Sequence, residues 1–104
     1  MTNYLFIYHG GQHPENPEDM ESVFKAWNTW LEGLGDSVVD AGNPVGQSTT
    51  VNSDGSVDNH GGSNPAAGYG IFKADSLATA IEMAKQCPIL VSGGQVELAD
   101  IFEV

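Results

Sequence analysis

Arginine is absent from this sequence, and its only fixed cations are Lys25, Lys73 and Lys85 against fourteen Asp and Glu, a net charge of −11 over 104 residues. Nucleic-acid binding needs basic side chains to neutralise phosphates, so DNA and RNA are excluded as expected partners. Anionic membrane surfaces are disfavoured for the same reason. A substrate with several phosphates would need helix N-termini or a metal to hold it, because no guanidinium fork exists. The bland reading of the acidity is that it keeps the surface solvated. Cysteine occurs once, at Cys87, which rules out an internal disulfide and fits a small apolar residue in a reducing compartment. No run reaches the roughly 18 apolar residues that cross a bilayer, and the first residues lack the basic region and apolar core of a signal peptide. The expectation is a cytoplasmic protein of one domain, residues 1–104, with a core of modest size.

What is present reads as two β-α-β units. Residues 3–9, NYLFIYH, form a short aromatic-rich strand. Asn16 as N-cap, Pro17 at the first helical position and Glu18 with Asp19 in the first turn open a helix. Along it Met20, Val23, Phe24, Trp27, Trp30, Leu31 and Leu34 recur at steps of three and four, up to Gly33 and Gly35. A second strand is expected over residues 37–41. Residues 47–51 and 57–60 then flank Ser53, Asp54 and Gly55 as a hairpin. Tyr69, Ile71 and Phe72 begin the second unit. In it Asp75 is the expected N-cap, Leu77, Ala80, Ile81 and Ala84 the helical stripe, and Pro88 the stop. Gly93 and Gly94 allow a reversal into a last strand with Val96, Leu98 and Ile101.

Right-handed crossovers put both helices on one face of a four-stranded antiparallel sheet, so the fold class is α+β: a ferredoxin-like β-α-β-β-α-β sandwich with an inserted hairpin. The first strand is apolar on both sides, with Tyr4, Phe6 and Tyr8 alternating against Leu5 and Ile7. The face without helices therefore needs a cover. A second copy packed sheet to sheet supplies one by closed twofold symmetry. Cover by the chain's own residues 47–66 is the competing account, but that segment is polar and glycine-rich and would bury little.

The order YLFIY, AWNTWLEGLG, VVDAGNP, a hairpin, GYGIFKADSLATAIEMAKQCP and GGQVELADI resembles the YCII-related proteins over nearly the whole chain. The DGPF motif of one large subgroup is absent; Asn59, His60, Gly61 and Gly62 follow the hairpin instead. The resemblance implies a dimeric α+β barrel and brings no settled activity. The enzyme roles suggested in that family rest on a histidine near the end of the first strand and an aspartate in the second, and the matching positions here are His9 and Asp40.

In such a fold strand three lies between strands one and two. That would bring His9, the Asp40 to Asn43 segment, Tyr69 and Glu97 to one end of the sheet. A histidine beside a carboxylate can pass a proton in either direction near neutral pH, with Tyr69 donating to a ligand oxygen. The competing reading has His9 facing water and Asp40 satisfying backbone groups in the turn that follows. Trp27 either walls a ligand pocket or belongs to the core among its apolar neighbours. His9 and His13 with Glu15 or Glu18 are poorly spaced for a metal, because Gly10, Gly11 and Pro14 make a loop of that segment. No glycine pattern suits a phosphate, and neither the serines and threonines at 48–50 nor Cys87 has a base nearby in sequence. The expected protein is a homodimer that binds a small organic molecule at the strand ends, without cofactor or metal. His9 and Asp40 are its candidate catalytic pair, and Tyr69, Glu97, Asn43 and Trp27 its candidate ligand contacts. The alternative is a non-catalytic binding or regulatory module.

Overall fold

The structure is a computed structural model that describes residues 1–11 and 16–103. Its elements run β1 (Thr2–His9), α1 (Pro17–Leu34), β2 (Val38–Pro44), β3 (Thr50–Val51), β4 (Val57–Asp58), β5 (Ala66–Ala74), α2 (Leu77–Ala84) and β6 (Gln95–Ile101). Single 3₁₀ turns sit at Gly35–Ser37 and Pro88–Leu90. The class is α+β: two helices and a four-stranded sheet in the order β2-β5-β1-β6, every neighbouring pair antiparallel. Among the described residues β3 and β4 pair only with each other. No helix among the described residues is long and apolar enough to cross a membrane.

The aromatic half of β1 makes the core. Tyr4, Phe6 and Tyr8 are buried with Phe72, Trp30, Ala80, Ala84, Cys87 and Ile89. The Phe6 and Phe72 rings lie 4.5 Å apart, and Trp30 closes on Phe72 at 5.3 Å. Trp30 also donates Nε1–H to the Met83 carbonyl at 3.1 Å, tying α1 to α2. Gly70 makes room for this cluster. A Cβ there would stand 2.7 Å from the Phe72 ring and 3.2 Å from the Tyr8 hydroxyl, so the strand gives up a side chain to let the rings lie across it. Burial drives the Tyr8 hydroxyl's pKa upward and pushes that of the Cys87 thiol up to about 11, which leaves Cys87 an unreactive packing residue.

Several local expectations are corrected. The N-cap of α2 is Ser76, whose hydroxyl accepts from the Thr79 N–H at 3.3 Å; Asp75 lies one residue outside. The helix turns Ala80 and Ala84 to the core and leaves Leu77 and Ile81 exposed, because only small side chains let it approach the sheet. β2 continues past Ala41 to Pro44 through two bulges, and β3 and β4 keep only two residues each. On α1 only the second half is packed: Trp27, Trp30, Leu31 and Leu34 meet the core, whereas Met20, Val23 and Phe24 stay exposed.

The resulting body is thin, 43 × 43 × 18 Å, with a radius of gyration of 15.0 Å against about 13 Å for a compact chain of this length. Its accessible surface of 7216 Å² exceeds the roughly 5,600 Å² typical of a monomer of this mass. The excess is on the order of 1,600 Å² by the same scaling.

Gly42 sets the path of β2. It has φ +74°, and a Cβ there would fall 1.6 Å from the Tyr69 carbonyl oxygen. Gly42→Ala should therefore cost well over about 1 kcal/mol, through both the positive φ and the collision. A urea midpoint unchanged from wild type would contradict this.

Candidate functional site

Paired residues in an antiparallel sheet share a face, so register fixes what stands on the side without helices. One row across that face runs Asn43, Tyr69, Ile7, Glu97 from β2 to β6. The next row inward runs Asp40, Ile71, Leu5, Ala99. At the outer end His9 stands opposite Gln95 on β6 and Ala66 on β5, where β1 is offset by a bulge after Tyr8. Three of the expected ligand contacts, Asn43, Tyr69 and Glu97, are thus brought level, with His9 beside them.

Apart from the core tyrosines and Cys87, His9 is the one buried side chain of polar type among the described residues, 8% exposed at the end of a central strand. Its Nε2 lies 2.8 Å from Glu97 Oε1 and its Nδ1 3.2 Å from the Pro65 carbonyl oxygen. Both partners can only accept, so satisfying both contacts requires a proton on each ring nitrogen, and the ring is then an imidazolium. The bond to Glu97 raises the pKa above its usual value. Burial opposes that rise, and the Pro65 carbonyl, the Glu97 charge and the Asn64 backbone reinforce it. Glu97 keeps much of its side chain in water, 59% exposed, and so can move while the ring stays fixed.

The expected His9–Asp40 pair does not form. The Asp40 carboxylate accepts from the Gly42 N–H at 2.8 Å and serves the bulge of its own strand. Asp40 stands level with Leu5, four residues from His9 along the strand direction or about 13 Å, with a strand between. The physical reason is the sheet order itself. β2 is two strands from β1 while β6 is adjacent, so a carboxylate on β6 reaches His9 first. Trp27 does not wall a pocket. It packs edge-on against Tyr8 and Trp30, with ring centroids at 5.0 and 5.6 Å, and is half-buried on the helix-covered side. His13 and Glu15 lie outside the described residues. Among the described residues no three His, Cys, Asp or Glu gather to hold a metal ion.

Beside His9, an open groove of about 460 Å³ follows Gly10, residues 45–47 and residues 63–67. Pro65 belongs both to this wall and to the His9 contact. The polar side chains lining the groove are Gln47, Ser63 and Asn64, all neutral. Asn64 also donates to the Gln95 side chain at 3.2 Å, which ties the groove to β6. Sequence reasoning missed this wall because it comes from the connectors that enter and leave the hairpin. The only signal was their Gly, Pro, Ser and Asn content.

No protein-family model, curated protein or solved structure matches the chain.

The His9–Glu97 contact has a definite pH signature. A histidine whose folded pKa is raised contributes stability that is fully present below its unfolded pKa, about 6.5, and lost as pH rises through the folded value. Wild type should therefore lose its advantage over Glu97→Gln as pH rises from about 6 to 9, read from urea midpoints. A difference that stays flat or widens over that range would contradict the imidazolium assignment.

Proposed function

We propose that this protein is a homodimeric, ferredoxin-like α+β barrel protein of the YCII-related kind, acting in the cytoplasm, that binds a small organic molecule at the strand ends. The observation that carries the reading is His9: a buried ring engaged by an acceptor on each nitrogen, next to a groove that passes Gly10, Val45 and Pro65 and whose polar side chains, Gln47, Ser63 and Asn64, are all neutral. A ligand oxygen entering the groove meets neutral hydrogen-bond donors and acceptors, and the one positive charge beside it, the His9 imidazolium, is already paired with the Glu97 carboxylate. The site therefore suits a neutral polar molecule better than a carboxylate or phosphate, and the net charge of −11 repels anions further. The same charge argues against nucleic acid and anionic membranes as partners.

The dimer follows from area and polarity. The face bearing Leu5, Ile7, Tyr69 and Ile71 has no helix over it among the described residues, and each of these four is only half-buried. A standard interface takes about 800 Å² from each partner, within the surplus surface of this chain. The hairpin does not compete as a cover, because its Val51 and Val57 are themselves 70% and 57% exposed. With a second sheet packed over the first, the Asn43, Tyr69 and Glu97 row becomes the mouth of an enclosed space beside His9.

A second reading, acid–base catalysis, is favoured by the His9–Glu97 pair. The imidazolium would release its Nε2 proton to a ligand oxygen when Glu97 swings aside, and Glu97 would restore the ring's orientation on return. Asp40 has no part in it.

Thermal-shift screening with neutral amides, lactams and polyols tests the proposal. A ligand that raises Tm in wild type should bind at least about tenfold more weakly to His9→Gln and Asn64→Ala, and equally well to Asp40→Asn, a loss near 1.4 kcal/mol for each weakened variant. Preference for anionic ligands, or dependence on Asp40 in place of His9, would contradict it. Turnover lost in Glu97→Gln while binding persists would favour catalysis over binding alone.

A further inference from the structure

The first half of α1 is built like a core helix yet covers nothing. Met20, Val23 and Phe24 continue the stripe that buries Trp30, but they are 45%, 39% and 64% exposed. Asn16 and Pro17 start this half firmly: the Asn16 side chain accepts from the Asp19 N–H at 2.8 Å, and its amide donates to the Asp19 carboxylate at 2.8 Å. The helix is thus held in register where it packs on nothing among the described residues. On the flanks of the apolar patch stand Asp19 on one side and Glu21 with Lys25 on the other. A shallow groove passes along the helix from Glu21 by Phe24, Lys25, Asn28 and Thr29 to Glu32, so its two carboxylates stand at the ends and its one lysine between them.

Charge decides what can cover this patch. A second copy of the chain would bring like carboxylates together, and only Lys25 could offset them. The sheet face, where Leu5, Ile7, Tyr69 and Ile71 predominate, is the better surface for self-association. Area leaves room for both, since the surplus of roughly 1,600 Å² is about twice what one partner contributes to a standard interface. We propose that the first three turns of α1, centred on Phe24, dock a basic amphipathic helix of another protein. Its apolar anchor would pack on Phe24 and Val23. Glu21 and Glu32 are eleven residues apart on the helix, about 16 Å, so the partner would carry Lys or Arg on each side of its anchor at similar spacing. Helix-in-groove recognition of this kind takes its affinity from the anchor and its preference for partner and on-rate from the flanking charges.

The test uses an 18-residue amphipathic peptide of leucine and lysine, fluorescently labelled, and its glutamate-for-lysine counterpart, with binding read by anisotropy at low and moderate salt. The expected result is saturable binding of the basic peptide alone, weakened about tenfold or more by Phe24→Ser, a cost of roughly 1.4 kcal/mol. Glu21→Gln with Glu32→Gln should weaken binding several-fold and flatten its salt dependence. Ile81→Ser, on the exposed face of α2, should leave it unchanged. Val23→Ser serves as a second variant, and melting curves establish that each variant is folded. Equal binding by wild type, Phe24→Ser and Val23→Ser, or equal loss in Ile81→Ser, would overturn the proposal. So would a change of oligomeric mass on Phe24→Ser, which would give this face to a second copy.

Discussion

The structure depends on a strand that is apolar on both sides while, among the described residues, helices cover only one. β1 lies inside the sheet, between β5 and β6. Its even-numbered residues Tyr4, Phe6 and Tyr8 are sealed beneath the helices, and Leu5 and Ile7 are only half-buried on the other face. That asymmetry fits the slab-like body, 18 Å across its thinnest dimension. It also places the candidate site, because the uncovered face is the one that carries His9, Glu97, Tyr69 and Asn43.

Within that face His9 is the fixed point. Its ring is held by a backbone carbonyl from the connector before β5 and by a carboxylate from β6, so a single imidazole links three parts of the chain. A neutral ring can donate to only one of these acceptors, and the protonated ring serves both. Geometry therefore selects the charged form before any charge–charge attraction is considered. The same requirement makes the arrangement responsive to ligand. An acceptor that enters the groove competes with partners already in place, and the more exposed of these, Glu97, is the one free to yield.

Much of the architecture was legible in the sequence because it rests on local chemistry: the Asn16-Pro17 start of α1, the Pro88 stop and the two-sided apolar pattern of β1. The bounds of β2 were not. The sequence Ala41-Gly42-Asn43-Pro44 reads as a turn, yet Gly42 supplies a bulge and the strand continues. Exposure of Leu77 and Ile81 was hidden for a different reason. Periodicity marks an apolar stripe but not which of its members must be small enough to lie against a sheet. The gathering of His9, Glu97, Tyr69 and Asn43 at one end of the sheet was legible too, because it follows from strand order and register. The pairing of His9 with Asp40 rests on the family resemblance; the bulged path of β2 sets Asp40 level with Leu5 and turns its carboxylate to the Gly42 N–H, and the Pro65 contact depends on a connector that no periodic pattern describes.

The central claim is that a second copy covers the open sheet face, and sedimentation equilibrium of wild type beside Ile7→Lys tests it most directly. Ile7 pairs with Tyr69 on one side and Glu97 on the other, so a lysine there places a charge in the middle of the proposed interface while leaving the helix-covered core untouched. The account predicts a dimeric mass for wild type at micromolar concentration and a folded monomer for the variant. A wild-type protein that sediments as a monomer throughout that range would contradict it.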